Sequence, residues 1–310
     1  MTTPHKEITS GLQFPEGPIA MPDGSVILVE IARETLTRVT PDGKQHIVAK
    51  LGGGPNGAAV GPKGQIFVCN NGGFNWIKRP DGRLFPGTQP ASYKGGSIQI
   101  VDPATGKFET LYESCDGRKL NGPNDIVFDN AGGFWFTDLG KTREYDNDRG
   151  AVYYARADGS KIEQKVFPLE RPNGCGLSPD EKTLYVVETP TARLWAFDLS
   201  APGTIKDANG AYRGEKGRVV AGLGGYQMFD SLAVDSAGHI CVATLITGAV
   251  SDISPDGQSV TQFKLPDPMV TNVCFGGKDL CTAFATLSMT GKLVSFEWPR
   301  PGLALNYLNK

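Results

Sequence analysis

The sequence has no concentrated charge of one sign and no long apolar run. Its 31 Lys and Arg residues nearly balance 33 Asp and Glu residues, leaving a formal net charge of −2 at pH 7. A chain without a basic block offers little to a nucleic-acid backbone or an anionic membrane surface. No apolar stretch approaches the roughly 18 residues that span a bilayer, and residues 1–14 lack the apolar core of a signal peptide. We therefore expect a cytoplasmic protein that binds neither nucleic acid nor membranes.

Several reactive motifs are also missing. The six cysteines are scattered without CxxC spacing, which indicates neither a zinc ribbon nor a disulfide framework, and we expect them to be reduced. No GxSxG motif is present, so a serine-hydrolase elbow is not expected. Of the three histidines, His5 falls in a predicted N-terminal strand, His46 in an outer strand and His239 in a turn away from the candidate site. Serine and histidine catalysis are both disfavoured.

What the sequence does contain is turns and an internal repeat. It has 40 glycines and 22 prolines, about one residue in five, which is typical of an ordered chain rich in turns. One repeated pattern has a short polar start, an apolar strand, a turn and a second apolar strand. Its six copies begin at Phe14, Gly54, Gly122, Arg171, Met228 and Met269.

A second repeated unit alternates with the first and reads as a strand ending in a tight turn. Its six copies begin at Thr35, Ser97, Ala151, Arg193, Ala249 and Lys292. Six alternating copies predict an all-β fold, a six-bladed β-propeller with four antiparallel strands per blade, forming one domain over residues 1–310. We expect an N-terminal strand within His5–Leu12 to pair with the last blade and close the ring, since exposed strand edges invite aggregation.

The starts of the six inner strands should meet at one mouth of the central channel. The tight turns, such as Pro22-Asp23-Gly24, fall on the opposite face, so the longer connections and the function should lie at the mouth. Alignment of the repeats places one oxygen-bearing side chain per blade there. These residues are Glu16, Asn56, Asn124, Asn173, Asp230 and Thr271.

Two carboxylates and three carboxamides that face one axis predict a bound cation, because the like charges would otherwise repel. Oxygen ligands without Cys or His suit Ca²⁺ first, and Mg²⁺, Mn²⁺ or Zn²⁺ are alternatives. A divalent ion with open positions polarises an ester carbonyl and lowers the pKa of bound water, while a nearby carboxylate accepts the proton. Asp230 is the first candidate for that base, and Asp125 is the second.

The same segments resemble the senescence-marker-protein/gluconolactonase (regucalcin-like) family, which includes diisopropyl-fluorophosphatase-like enzymes. The similarity spans the chain and is carried by FPEGP at Phe14, GPNDIVFDNAGGFWFTD at Gly122, RPNGCGLSPDEKTLYVVET at Arg171 and the segment FDSLAVD at Phe229. The resemblance implies a six-bladed propeller with a catalytic divalent metal in the channel, and it implies lactone hydrolysis. It makes Glu16, Asn173 and Asp230 metal ligands, and Asn124 a ligand either directly or through the substrate site.

The substrate is expected to lie over the metal, against residues of the mouth. The connection over residues 70–96 is long and contains Phe74 and Trp76, so it is a candidate lid. Candidate substrate contacts also include Asn56, Thr271, Arg118 and Tyr226. Apolar residues favour an apolar lactone and Arg118 favours a hydroxyl-rich or acidic one, so both classes of substrate stay open.

Three functions are compatible with this sequence. The leading hypothesis is a metal-dependent lactone hydrolase that acts on a small molecule. A hydrolase of organophosphorus compounds or other esters would use the same metal, because polarised P=O and C=O groups need similar electrostatic help. A non-catalytic propeller scaffold is the third, since one fold hosts many functions. The oxygen-rich channel favours the enzymes, because a scaffold does not require it.

Overall fold

The computed structural model describes residues 2–206 and 217–310, and within them the chain forms 29 β-strands and no helix. No segment of this described part is therefore a helix long and apolar enough to cross a membrane. Alternating apolar residues bounded by Gly, Pro and Asp turns account for the strands. The six predicted repeats fold into six small antiparallel sheets arranged as blades, which confirms the propeller.

The strands follow the repeats in chain order. β1 (Lys6–Ser10) precedes blade 1, which contains β2 (Pro15–Ala20), β3 (Val26–Glu30), β4 (Thr35–Val39) and β5 (Gln45–Lys50). Blade 2 contains β6 (Pro55–Val60) and β7 (Ile66–Asn70), then an inserted hairpin of β8 (Trp76–Lys78) and β9 (Leu84–Pro86), then β10 (Ser97–Val101) and β11 (Phe108–Tyr112). A small hairpin of β12 (Ser114–Cys115) and β13 (Arg118–Lys119) leads to blade 3.

Blades 3 to 6 repeat this plan. Blade 3 contains β14 (Pro123–Phe128), β15 (Gly133–Asp138), β16 (Gly150–Arg156) and β17 (Ile162–Leu169). Blade 4 contains β18 (Pro172–Leu177), β19 (Thr183–Glu188), β20 (Arg193–Ala201), the short β21 (Thr204–Ile205) and β22 (Arg218–Gly222). Blade 5 contains β23 (Met228–Val234), β24 (Ile240–Leu245), β25 (Ala249–Ile253) and β26 (Val260–Lys264). Blade 6 contains β27 (Val270–Gly276), β28 (Thr282–Leu287) and β29 (Lys292–Glu297).

The ring is closed as predicted, by the N-terminal strand. β1 pairs antiparallel with β29, with Lys6 opposite Ser295 and Ser10 opposite Lys292, so the first strand becomes the outer strand of blade 6. Six apolar clusters lie between successive blades, including one between blades 6 and 1 that contains Leu12, Leu28 and Leu293. Each blade therefore buries both of its faces against neighbours.

The inner strands all start on one face of the ring, which we call the site face. Tight turns such as 21–25 and 40–44 lie on the opposite face, where Gly24 and Gly43 donate to the carbonyl groups of Met21 and Thr40. The C-terminal residues 302–310 cross that opposite face, and Tyr307 packs edge-on against Phe128 with ring centroids 5.6 Å apart. The channel is thus covered at its far end, and its mouth is on the site face.

Each of the six inner strands contains a β-bulge near its start. In blade 2, Asn56 and Gly57 lie between the pairs Pro55–Asn70 and Ala58–Val68, so two residues oppose one. Equivalent irregularities occur at 17–18, 124–125, 173–174, 230–231 and 271. A bulge re-aims side chains, and here it affects the positions that the repeat alignment assigned to the channel.

Glycine makes the bulge of blade 1 possible. Gly17 has φ = 52°, and a Cβ there would lie 2.6 Å from the carbonyl oxygen of Asn56 in blade 2. No side chain fits in that space, and the left-handed backbone also favours glycine. Close contact between inner strands therefore depends on this residue.

We expect Gly17→Ala to destabilise the protein by more than Gly11→Ala. Gly11 also has a positive φ of 81°, but no atom lies within 4 Å of the position that a methyl group would occupy, so its substitution carries the backbone cost alone, about 1 kcal/mol. Gly17→Ala adds overpacking against a backbone carbonyl, about 1–3 kcal/mol more. Denaturant unfolding of the two variants measures the difference. Equal losses would show that the two inner strands are not held in close contact.

Candidate functional site

The channel mouth brings together the six oxygen-bearing residues of the aligned repeats. Each lies at or beside the bulge of its inner strand. Five are buried and Asp230 is partly accessible from the mouth. The buried five are Glu16, Asn56, Asn124, Asn173 and Thr271. Because one residue comes from every blade, the side chains approach one another only when the ring closes.

Glu16 is a carboxyl group held in place by two donors. Its Oε2 accepts hydrogen bonds from Gly17 N at 2.9 Å and from Asn272 Nδ2 at 2.8 Å. Burial raises the pKa of Glu16 to about 7, although both hydrogen bonds favour its charged form. The fold therefore fixes the position of this carboxyl group through neutral donors rather than through an ion pair.

Asp125 and Asp230 share the electrostatic environment of Glu16. Burial, with the charge of Glu16 second, raises the pKa of Asp125 to about 7. The same two causes raise the pKa of Asp230 well above its usual range, and Arg171 opposes them only weakly. Glu16 disfavours the ionisation of Asp125 and Asp230, so the three acidic groups form a site that a divalent cation would stabilise.

The amide side chains at the mouth fit such a cation. Asn124 Oδ1 is buried and has no hydrogen-bond partner among the described residues. Asn173 donates from Nδ2 to Thr189 Oγ1 at 3.1 Å, which orients the amide, while Ser231 Oγ lies 3.4 Å from Asn173 Oδ1. A buried carbonyl oxygen without a donor is rare in folded proteins, and it is a ligand that hard cations accept.

The other two members of the ring are placed differently. The Thr271 hydroxyl lies 2.5 Å from Ser288 Oγ and 2.9 Å from Thr286 Oγ1, and it donates to Pro15 O at 3.3 Å. These hydrogen-bond partners of Thr271 all belong to blades 6 and 1, so they hold its hydroxyl within the channel wall. Asn56 is buried where its backbone meets Gly17.

Below this layer the channel becomes apolar. A cavity of about 120 Å³ extends from Asp125 and Asn272 towards the C-terminal residues, with Ala58, Leu232 and Cys274 among its walls. Asp125 lies at the boundary, where its Oδ1 accepts a hydrogen bond from Ile126 N at 3.0 Å. Asp125 therefore faces the deeper part of the channel, whereas Asp230 is reached from the mouth.

A second acidic cluster lies on the opposite face, but it already has a counter-charge. Asp235, His239 and Asp252 bring their ligand-type atoms within 4.8 Å of one another. Arg300 donates to Asp235 at 2.5 Å and to Asp252 at 2.6 Å, and His239 Nδ1 lies 2.7 Å from Asp252. Because the guanidinium neutralises these carboxylates, the cluster is best explained as a structural ion-pair network. The acidic groups of the channel mouth have no comparable ion pair among the described residues.

The 70–96 connection extends across part of the mouth. Trp76 packs against Phe14 of blade 1, with ring centroids 5.1 Å apart, and against Phe74 at 5.9 Å. Arg83, beyond the hairpin turn, reaches Met289 of blade 6 with 3.5 Å between its guanidinium and the sulfur. On the other side, Gln89 donates to Thr142 of blade 3. The connection, which we call the lid, therefore spans blades 6, 1, 2 and 3.

A buried lysine fastens the base of the lid to blade 3. Lys141 Nζ donates to Gly73 O at 2.6 Å and to Asn71 Oδ1 at 3.3 Å. It also lies 4.4 Å from the ring centroid of Phe74 and 5.3 Å from that of Tyr93. Burial lowers the pKa of Lys141 to about 7. A carbonyl, an amide and two aromatic rings thus hold this ammonium group.

Two other predicted substrate contacts lie farther out. Arg118 is exposed on the β12–β13 hairpin, and Cys115 of this hairpin contacts Ile162 of β17, the outermost strand of blade 3. Tyr226 is 76% exposed in the connection between β22 and β23. The structure thus places Arg118 beside the outer edge of a blade and Tyr226 on the surface of the site face.

Sequence reasoning missed three residues that shape the site. Asn272 and Ser231 occupy the alignment position that is Gly in blades 1, 2 and 4, so polar residues in a glycine column were an available signal. No feature of the sequence pointed to Lys141. Its neighbours Gly73 and Phe74 are distant in sequence, and only the folded lid brings them to it.

Comparison with known proteins identifies the family and relatives that this sequence resembles. A family model described as SMP-30/Gluconolactonase/LRE-like region matches residues 14–289. A gluconolactonase of Zymomonas mobilis is 27% identical over 302 residues, covering 90% of this chain and 77% of that protein. The lactonase drp35 of Staphylococcus haemolyticus is 29% identical over 259 residues, covering 83% of this chain and 70% of that protein.

Solved structures share the fold. Regucalcin of Agrobacterium tumefaciens, described as a calcium-binding protein, superposes with a TM-score of 0.76 at 19% identity, covering 100% of this chain and 98% of that one. A gluconolactonase of Xanthomonas campestris gives 0.73 at 23% identity, covering 94% and 89%. At these identities the likeness establishes the six-bladed architecture.

The raised pKa values predict how the metal-free protein responds to pH. Glu16 and Asp125 have pKa values of about 7 in the fold, against ordinary values of 4.5 and 3.8. Between those values the folded state holds protons that the unfolded chain has released. The stability that these bound protons give to the folded state is present at low pH and is lost as pH rises through about 7.

We therefore expect thermal unfolding in chelator to show wild-type stability falling, relative to Glu16→Gln, from about pH 4.5 to 7.5. Added Ca²⁺ should restore the wild type at pH 7.5 and have a smaller effect on the variant. Asp256→Asn, on an exposed turn of the opposite face, is the control for loss of a carboxylate. A difference between wild type and Glu16→Gln that does not change with pH would contradict the electrostatic assignment.

Proposed function

Because the chain belongs to the SMP-30/gluconolactonase/LRE-like family, we propose that it is a metal-dependent lactonase, a carboxylic ester hydrolase that opens a cyclic ester at the mouth of its central channel. The observation that carries the proposal is the group of Glu16, Asp125 and Asp230, whose pKa values burial raises, beside Asn124 Oδ1, which has no partner in the described part of the chain. The names of the relatives, gluconolactonase and lactonase, support the choice of reaction.

Four side chains of this site would hold the ion, with Ca²⁺ favoured by their hard oxygen atoms. They are Glu16, Asn124, Asn173 and Asp230. When bound, a divalent ion supplies Lewis-acid polarisation of the ester carbonyl and lowers the pKa of a water molecule. The Glu16 carboxyl is oriented for this role by Gly17 and Asn272, and Asn173 is oriented by Thr189.

Asp230 is the residue that we propose as general base. It is partly accessible from the mouth, so its carboxylate can reach a water molecule beside a substrate. Asp125 is buried in the second layer, where its Oδ1 is engaged by Ile126 N. Asp125 then serves mainly through its charge, because an ionised Asp125 raises the pKa of Asp230.

The lid favours a lactone with an apolar part. Phe14, Phe74 and Trp76 form a continuous aromatic group on the covered side of the mouth. Such a wall would exclude water from one side of the reacting ester and bind aliphatic or aromatic carbon. A small hydroxyl-rich sugar lactone would gain less from it.

The proposed function can be tested directly. Metal analysis of the purified protein should find about one divalent ion per chain, and titration at constant pH should detect acid release from lactones. A sugar lactone, an aromatic lactone and a phosphotriester, each with and without chelator, separate the lactonase from a phosphotriesterase. Activity that survives complete metal removal would contradict the metal-dependent mechanism. A protein that binds no divalent ion and hydrolyses none of the three substrates would favour a scaffold.

The ligand assignment predicts that Glu16→Gln and Asp230→Asn each weaken Ca²⁺ binding at least about tenfold and nearly abolish turnover, because each removes a formal charge facing the ion. Calorimetric titration with Ca²⁺ and initial rates on the best lactone measure the two effects. Asp256→Asn is again the matched control. Unchanged affinity and rate in both channel variants would refute the assignment.

The lid predicts a different pattern for Trp76→Ala. Losing a buried aromatic contact is worth about 1.5–3 kcal/mol, so kcat/KM on an aromatic lactone should fall by roughly one to two powers of ten. Calcium affinity should change little, and the sugar lactone should lose less. Ile77→Ala, the exposed neighbour on the same hairpin, is the control. Equal losses on both lactones would indicate that Trp76 only stabilises the lid.

A further inference from the structure

One arginine at the mouth, Arg171, has a buried side-chain nitrogen without a hydrogen-bond partner among the described residues. Arg171 directly precedes β18, two residues before Asn173, and has φ = 50°, in the left-handed region that residues with side chains seldom adopt. Its carbonyl accepts a hydrogen bond from Thr189 N at 3.2 Å, which holds the backbone in this conformation. Strained positions of this kind cluster at ligand-binding sites, where the surrounding structure maintains them.

The guanidinium of Arg171 is unlike the other arginines near buried acids. Its Nε is buried without a hydrogen-bond partner, and none of the described residues forms an ion pair with it. Arg300, in contrast, binds Asp235 and Asp252, and Arg143 binds Asp146 and Asp148. A buried donor left unsatisfied costs free energy, so a partner from outside the chain is the simplest way to satisfy it.

The ring places Arg171 on the side of the mouth opposite the aromatic residues of the lid. Blades 1 and 4 lie opposite each other, so Arg171 is across the channel from Phe14, which occupies the matching position in blade 1 and also has a positive φ of 55°. The lid contacts blades 6, 1, 2 and 3, and these contacts do not extend to blades 4 and 5. The mouth therefore has an aromatic side covered by the lid and, beyond these lid contacts, a side that carries a guanidinium.

We propose that Arg171 recognises a carboxylate substituent on the lactone, so that the preferred substrate carries an acidic group on one side of the ring and carbon on the other. This inference rests on the proposed lactonase function and names its substrate class. A guanidinium presents two parallel N–H groups that match a carboxylate, which favours bidentate binding. The acid would extend towards blade 4 while the ring packs against the lid.

A second role for Arg171 has to be separated from this one. Its charge also favours the ionised form of Asp230, so its removal could slow hydrolysis of any substrate. That effect would be equal for acidic and neutral lactones. Recognition of a carboxylate would instead lower the rate selectively for the acidic one, mainly through KM.

The test compares 5-oxotetrahydrofuran-2-carboxylate with its methyl ester, two lactones of the same ring that differ in one charge. Wild type should prefer the acid. Arg171→Met should reduce kcat/KM on the acid by roughly ten- to a hundredfold and on the ester by much less, because hydrogen bonds to charged groups are the strong ones. Arg171→Lys should recover part of the loss. Arg193→Met, an exposed arginine at the start of β20 on the site face, is the control and should match wild type.

A binding measurement keeps the inference independent of turnover. The carbocyclic ketone 3-oxocyclopentane-1-carboxylate cannot be hydrolysed, and calorimetry should show binding to wild type that weakens about tenfold or more in Arg171→Met and not in Arg193→Met. If neither lactone is hydrolysed but this dependence on Arg171 is found, the lactonase proposal fails and the anion site stands. Equal losses of kcat/KM on acid and ester, or analogue binding that does not depend on Arg171, would overturn the inference.

Discussion

The structure depends on one repeated backbone irregularity, the bulge near the start of every inner strand. In a regular ladder, the side-chain direction alternates along each strand, and consecutive polar residues would face opposite sides of the blade. The bulge breaks that alternation where the strands line the channel. In blades 1 and 2 it also brings two inner strands so close that only glycine fits, and Gly17 and Gly57 lie there against the backbones of blades 2 and 3. The polar ring is therefore a product of strand geometry as much as of residue type.

The ring concentrates acid in a place where little positive charge opposes it. Burial raises the pKa values of Glu16, Asp125 and Asp230, and the charge of Glu16 raises the last two further. Arg171 opposes this only weakly, at Asp230. The acidic cluster on the other face shows the contrasting solution, since Arg300 neutralises Asp235 and Asp252 directly. At the channel mouth no such guanidinium neutralises the acidic groups, so the site favours a ligand with positive charge. This is the physical basis of the proposed calcium centre.

The mouth is asymmetric, and the asymmetry comes from one insertion. Blade 2 carries a long hairpin between its second and third strands, and this hairpin reaches Phe14 on one side and Thr142 on the other. Lys141 anchors its base through Gly73 and the ring of Phe74. The side of the mouth at blades 4 and 5, beyond these contacts, then presents Arg171. The inner strands thus set the chemistry at the centre of the ring, whereas the lid and the side opposite it set the proposed choice of substrate.

The number of blades, the strand that closes the ring and the residues at the head of each inner strand could all be read from the sequence, because turn chemistry and alternation are local properties that repeat visibly. How those residues are used could not be read in the same way. Thr271 is bonded to Ser288 and Thr286 within the wall, while Asn124 Oδ1 has no partner among the described residues. Glu16 is oriented by Asn272, 256 residues away in the chain. Whether a buried polar atom is satisfied depends on neighbours that come into contact when the ring closes, so the folded structure was needed to show which side chains are free to bind a ligand.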